Sequence, residues 1–193
     1  MIVKFYNIGN EFSRVKRSYR KKINKIFSSG NFIHGISNKK LEKKISNLLK
    51  IKYVIGVGNG SDALEIGLLA LGIKKGDEVI TATNSCVSSL NAILNVGATP
   101  VLVDVDDNYN ISYTDIKKAI TKKTKAIMPV HLNGLPSSMR EIKVIAKKNK
   151  LKIIEDSAQA ILSKYQNKYT GTIGDVGCFS MHPTKNLGVG GDG

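Results

Sequence analysis

Short apolar runs punctuate most of the chain, at Tyr53–Val57, Glu78–Ala82, Pro100–Val105, Ala126–Val130, Leu151–Ile154 and Val176–Phe179. The first five are spaced by about twenty to twenty-six residues, the size of a βαβ unit. Between them lie stretches whose apolar residues return at helical spacing. Leu64, Leu68 and Leu71 share one face behind Asp62 and Glu65, a spacing that resembles a capping box. Ser138 and Glu141 repeat the device ahead of Ile142, Val144 and Ile145. Thr114 precedes a short helix ending near Ile120, and Gly97 closes the helix that holds Leu90, Ile93 and Leu94. The pattern before residue 51 is different. Lys16 to Phe27 reads as a basic helix with Ile23 and Phe27 on one face, then a turn at Ser28-Ser29-Gly30-Asn31 and a second helix near Asn38–Leu49. No repeat and no low-complexity linker interrupts the sequence. The expected architecture is α/β: a helical arm over 1–50, then a three-layer domain over 51–193 with a mostly parallel sheet and helices on both faces.

Composition changes this picture little. With 193 residues and 41% hydrophobic content, the chain can bury one core of ordinary size. No apolar run approaches the roughly 20 residues that span a bilayer. The N-terminus, Met1-Ile2-Val3-Lys4-Phe5-Tyr6, lacks the layout of a secretory signal, so a cytoplasmic location is expected. Cys86 and Cys178 are too few for a disulfide framework or a zinc cluster, and are expected as reduced thiols. The formal charge of +15 could serve a polyanion. Its lysines, however, are spread along exposed helix faces, as at Lys117-Lys118 and Lys147-Lys148, and no helix-turn-helix, RNP or zinc-finger pattern is present. Nucleic acid is therefore not an expected partner, and neither is a membrane. A nucleotide-sugar diphosphate would also welcome positive charge.

Three segments carry candidate chemistry. Gly58-Asn59-Gly60-Ser61-Asp62 is a glycine-rich turn between an apolar run and a helix, and is neither a Walker A loop nor a GxGxxG fingerprint. Its backbone could approach a phosphate at a helix N-terminus, or it could be a plain turn with a capping Asp62. Asp156, in Glu155-Asp156-Ser157-Ala158-Gln159, lies just past an apolar strand, where open α/β sheets place ligands. It could hydrogen-bond a pyridine nitrogen and keep it protonated, or merely cap a helix. Gln159 could reach the same ring from its face or its phenolic oxygen. In Ser180-Met181-His182-Pro183-Thr184-Lys185-Asn186, a lysine sits on a turn just after an apolar strand, with a hydroxyl five residues before it. Lys185 could form a Schiff base with pyridoxal phosphate while Ser180 holds the phosphate. Pro183 and the glycines at 188, 190, 191 and 193 are an unusual setting for a surface lysine.

In order along the chain, Gly60-Ser61-Asp62-Ala63-Leu64, Gly76-Asp77-Glu78-Val79-Ile80, Pro129-Val130-His131-Leu132, Glu155 to Ala160, and Gly174 to Ser180 running on to Gly191-Asp192-Gly193 resemble the DegT/DnrJ/StrS nucleotide-sugar aminotransferases. The similarity runs from about residue 3 to the last residue. It implies the large domain of a fold-type-I pyridoxal-phosphate enzyme, acting as a homodimer, that moves an amino group, usually from glutamate, onto a nucleotide-linked keto-sugar. By that resemblance Lys185 is the catalytic lysine, carrying the cofactor and then acting as acid and base. Asp156 partners the pyridinium, Gln159 lies beside the ring, and Ser180 with the Gly60-Ser61-Asp62 turn cradles the phosphate. Cys86 falls where the family usually places a stacking aromatic, giving up a contact worth about 0.5–1.5 kcal/mol. Relatives that dehydrate sugars carry histidine at the lysine position, so Lys185 favours transamination over a dehydratase of the same fold. Family members continue beyond the Gly-Asp-Gly motif into a small C-terminal domain, so a fragment or a shortened, non-catalytic relative is a further expectation. His131 and His182 are expected as structural residues, His131 at a strand end and His182 in place of an aromatic.

Overall fold

In a computed structural model, residues 8–33 and 35–193 are described, apart from the side chains of residues 8, 10 and 11. The chain divides into two compact units, Met1–Gly56 and Val57–Gly193. The first contains α1 (Ile8–Ser29) and α2 (Ile36–Leu49). Both helices are longer than the periodicity suggests. Gly30, at a φ of +67°, ends α1, its N–H bonded back to the carbonyls of Ile26 and Phe27.

In the second unit follow α3 (Gly60–Ala70), β1 (Glu78–Ala82), α4 (Val87–Asn95), β2 (Thr99–Val103), α5 (Tyr113–Ala119), β3 (Thr124–Met128), α6 (Met139–Asn149), β4 (Lys152–Asp156), the hairpin strands β5 (Lys164–Tyr165) and β6 (Lys168–Tyr169), and β7 (Val176–Cys178). Five strands form one sheet in the order β2-β1-β3-β4-β7, every neighbouring pair parallel. Successive side chains of a strand point to opposite faces, and here both faces are apolar. Ile80, Ile127 and Ile153 join a core with Ile116 of α5 and Met139, Ile142 and Ile145 of α6. Val79, Ala126, Met128 and Ile154 join another with Leu64 and Leu68 of α3 and Ala92 and Ile93 of α4. The expected three-layer α/β architecture is therefore present.

Several local expectations fail. Ser138 stands at the N-cap of α6 without a side-chain cap hydrogen bond, and α5 includes Thr114 and is capped by Ser112. Tyr53–Val57 forms no strand: it joins no ladder, and Tyr53 and Ile55 are 74% and 78% exposed. An apolar run needs a neighbour to pair with before it becomes a strand. The cap of α3 is Asn59 and not Asp62; the Asn59 side chain accepts the Asp62 N–H at 2.8 Å, so the helix opens on the glycine itself.

Candidate active site

Alternation along β4 decides the site. Asp156 continues the Ile154 face toward α3 and α4, whereas Glu155 continues the Ile153 face. Asp156 is 5% exposed at the carboxyl end of β4. Its Oδ2 accepts the Ser89 hydroxyl at 2.8 Å and its Oδ1 the Ala158 N–H at 3.1 Å. Ser89 lies 2.8 Å from Ser85, so Ser85, Ser89 and Asp156 make a short relay from the first turn of α4. Ser89 escaped the sequence analysis. The signal was a hydroxyl on the helix face that also carries Ala92 and Ile93, where a buried polar group requires a partner.

Cys86 precedes α4, exposed at the carboxyl end of β1. It borders a cavity of about 210 Å³ that Thr81, Thr83, Ser85, Ser89 and Leu102 also line. Hydrogen bonding with Ser88 holds its thiol below the ordinary value, helped by the Lys185 ammonium and opposed by partial burial and the Asp156 charge. Cys178 behaves oppositely: burial, then the charges of Asp156 and Glu155, pushes it up to about 12. Its thiol donates to the Ala63 carbonyl at 3.2 Å, inside the packing of α3 on β7.

Ser180 and Lys185 follow β7. A Cβ built on Gly60 would lie 2.8 Å from the Ser180 Cβ and 3.3 Å from its hydroxyl, so only glycine lets the start of α3 meet this serine. Asn59 takes the Asp62 and Ala63 N–H groups through its side chain and carbonyl. Helical geometry then leaves the N–H groups of Gly60 and Ser61 pointing outward beside Ser180. The Asp62 carboxylate leans over Gly58. Lys185 is half-buried on a turn closed by its own N–H to the His182 carbonyl at 2.8 Å. The loop that carries it is pinned by the Val189 N–H to the Met181 carbonyl at 2.9 Å, and a Cβ on Gly188 would strike Pro183. His182 is exposed and bonds only within its own turn, its Nδ1 to Thr184, its N–H to the Ser180 hydroxyl oxygen at 3.3 Å and its carbonyl to the Lys185 N–H.

Gln159 is anchored by a residue that sequence reasoning missed. Its Oε1 accepts the Asn133 N–H at 2.8 Å, and Asn133 has a φ of +53°. Nothing in the composition around Leu132-Asn133-Gly134 announces this beyond a turn. His131 is fully buried and structural: its Nδ1 accepts the Ser137 N–H, so its Nε2 carries the proton and donates to Glu155 at 2.9 Å. Burial of Glu155 works to raise its carboxyl, but hydrogen bonds from His131, Gly174 and Gly171 prevail and hold it below its ordinary value. Among the described residues there is no cluster suited to a metal ion and no helix long and apolar enough to cross a membrane.

Known proteins share this arrangement of chain. A UDP-N-acetyl-3-dehydro-alpha-D-glucosamine 3-aminotransferase of Acidithiobacillus ferrooxidans is 46% identical over 172 residues, covering 89% of this chain and 47% of the relative. The crystal structure of S. venezuelae DesV in complex with a ketimine intermediate superposes with a TM-score of 0.93 at 33% identity, over 98% of this chain and 52% of that one. NtdA from Bacillus subtilis with bound cofactor PMP matches with a TM-score of 0.88 at 37% identity, over 98% and 43%. The chain thus spans about half the length of the proteins it matches. A family model covers residues 14–193, which include every segment of the site, and the chain belongs to the DegT/DnrJ/EryC1/StrS aminotransferase family.

Proposed function

We propose that the protein supplies the cofactor half of a pyridoxal-phosphate-dependent aminotransferase that converts a nucleotide-linked keto-sugar to an amino sugar, with glutamate as amino donor. What carries this reading is that Asp156 ends β4 beside β7, and that the Ser180 that follows β7, five residues before Lys185, packs against Gly60 at the start of α3. The residues fit the group: glycine at 60 keeps open the space a Cβ would fill beside Ser180, and Asp156 has lone pairs to spare. The cofactor, when bound, supplies an electron-withdrawing ring and a carbon that a primary amine can attack.

The chain's own groups divide the remaining work. The N–H groups of Gly60 and Ser61 and the Ser180 hydroxyl hold the phosphate, with the N-terminus of α3 favouring its charge. Ser89 and Ala158 fix the plane of the Asp156 carboxylate, which would accept a hydrogen bond from the ring nitrogen and keep that nitrogen protonated. With its Oε1 taken by Asn133, Gln159 has its amide N–H₂ left to donate, and that group would serve the ring oxygen. Lys185 Nζ would be the primary amine that holds the cofactor and, when free, the acid and base that carries a proton. Cys86 would pack against the ring where the family uses an aromatic. The Asp62 N–H is committed to the Asn59 side chain, so its part is to fix the turn that presents Gly60 and Ser61.

Incubation with pyridoxal phosphate, borohydride reduction and peptide mass spectrometry should find the pyridoxyl mass on Lys185; label on another lysine removes the reading. Amino transfer from glutamate to a keto-sugar nucleotide, followed by product analysis, separates transamination from dehydration. The proposal extends to a homodimer in the cytoplasm serving surface-polysaccharide synthesis, checked by sedimentation and cell fractionation.

A further inference from the structure

Next to Asp156 stands a carboxylate that the reaction above does not use. Glu155 is 0% exposed. Its Oε1 accepts the N–H groups of Ile173 and Gly174, both at 2.7 Å. Its Oε2 accepts the Gly171 N–H and the His131 Nε2–H, both at 2.9 Å. Those donors come from two separate stretches of chain, and each continues into the candidate site. Residues 171–174 lie against the strand and turn that present Lys185: a Cβ on Gly171 would overlap the Phe179 ring, and one on Gly177 would overlap the Gly171 carbonyl. Asp175 then bonds both backbone groups of Ile153, its N–H to the carbonyl and its Oδ2 from the N–H, each at 2.8 Å. On the other side, the His131 N–H donates to the Asp156 carbonyl at 3.0 Å, and Asn133 follows to hold Gln159.

We propose that Glu155, working with His131, is a positioning residue that locks the Lys185 segment and the Asn133–Gln159 segment to Asp156, so that all three address one cofactor ring. The physical ground is the cost of leaving a buried carboxylate short of donors. Any shift of 171–174 or of His131 withdraws an N–H from Glu155, so the charge penalises every arrangement but this one. Covalent chemistry on a ring requires that tolerance, because a misplacement of about 1 Å is enough to lose much of the rate. The inference rests on the cofactor reading above.

Glu155→Gln replaces one acceptor oxygen by an N–H₂ that faces a donor, and His131→Gln keeps an N–H able to reach Glu155. Hydrogen exchange of the chain without cofactor should quicken about tenfold or more at Gly171, Ile173 and Gly174 in Glu155→Gln, while the β1–β2 ladder stays near the wild-type rate. With pyridoxal phosphate added, the visible circular dichroism per cofactor fixed on Lys185 should fall about twofold or more, because the ring loses its orientation. His131→Gln should show both effects more weakly. Faster exchange with unchanged dichroism per fixed cofactor would make Glu155 a residue of stability alone and overturn the inference, as would unchanged exchange. Should Glu155→Gln fail to fold, the same two readouts on His131→Gln decide, and no change in either overturns the inference. A wild-type chain with no label on Lys185 overturns the site reading and the inference together; a labelled wild type with an unaltered variant overturns the inference alone.

Discussion

The two faces of the end of β4 hold one carboxylate each, and they are provisioned differently. On the face shared with α5 and α6, Glu155 receives four N–H donors, and an ionised carboxylate has about four lone-pair sites. On the face shared with α3 and α4, Asp156 receives two donors, the Ser89 hydroxyl and the Ala158 N–H. A saturated carboxylate is committed to the fold, whereas a half-saturated one can still accept a proton-bearing group. Sequence places the two side by side, and the pleat of the strand separates their roles.

Breaking the saturated side should have the largest effect. Glu155→Ala strands three backbone N–H groups and His131, and should lower stability by about 3–5 kcal/mol in denaturant titrations. The same comparison has a pH form. Because the Glu155 carboxyl is held below its ordinary value, its contribution is complete above that value and lost as pH falls through the lowered one. The gap in Tm between wild type and Glu155→Gln should therefore be flat from neutrality down to the ordinary glutamate range and close only in stronger acid. A gap that closes nearer neutrality would assign it to another group.

On the half-saturated side the expected loss is in binding. Asp156→Asn keeps the shape but removes the charge, and should weaken pyridoxal-phosphate capture by about 1.5–3 kcal/mol, roughly tenfold to a hundredfold, with a smaller change in Tm. Equal losses in the two assays would erase the distinction between the carboxylates. Ser89→Ala should cost about 1 kcal/mol of the same binding by freeing the plane of Asp156. The smallest effect expected is chemical: iodoacetamide at neutral pH should modify Cys86 and leave buried Cys178 untouched, and pyridoxal phosphate should slow the reaction at Cys86.

Much of this was readable in advance, and the gaps have physical causes. Glu78–Ala82 was placed to the residue because apolar side chains on both faces leave a strand few alternatives. Tyr53–Val57 has the same look, but pairing is a property of two segments and the run itself does not reveal whether a neighbour exists. Asp62 reads as the cap because Glu65 follows it at the capping-box spacing; the helix instead opens on Gly60, behind Asn59. Asp156 and Lys185 stood out through their positions after strands. Ser89, Asn133 and Glu155 did not, since each acts through a partner far away in the chain, and a local pattern carries no trace of that partner.

The contact between Gly60 and Ser180 ties two distant codons together. Gly60→Ala collides with the serine, and the simplest relief, Ser180→Gly, deletes the hydroxyl that the contact exists to present. Each single step away from this pair is worse than the start, and so is the double step. Such a pair sits in a mutational cul-de-sac: sequence drift elsewhere in the chain leaves it untouched, and libraries that vary one position should return the parent residue at both.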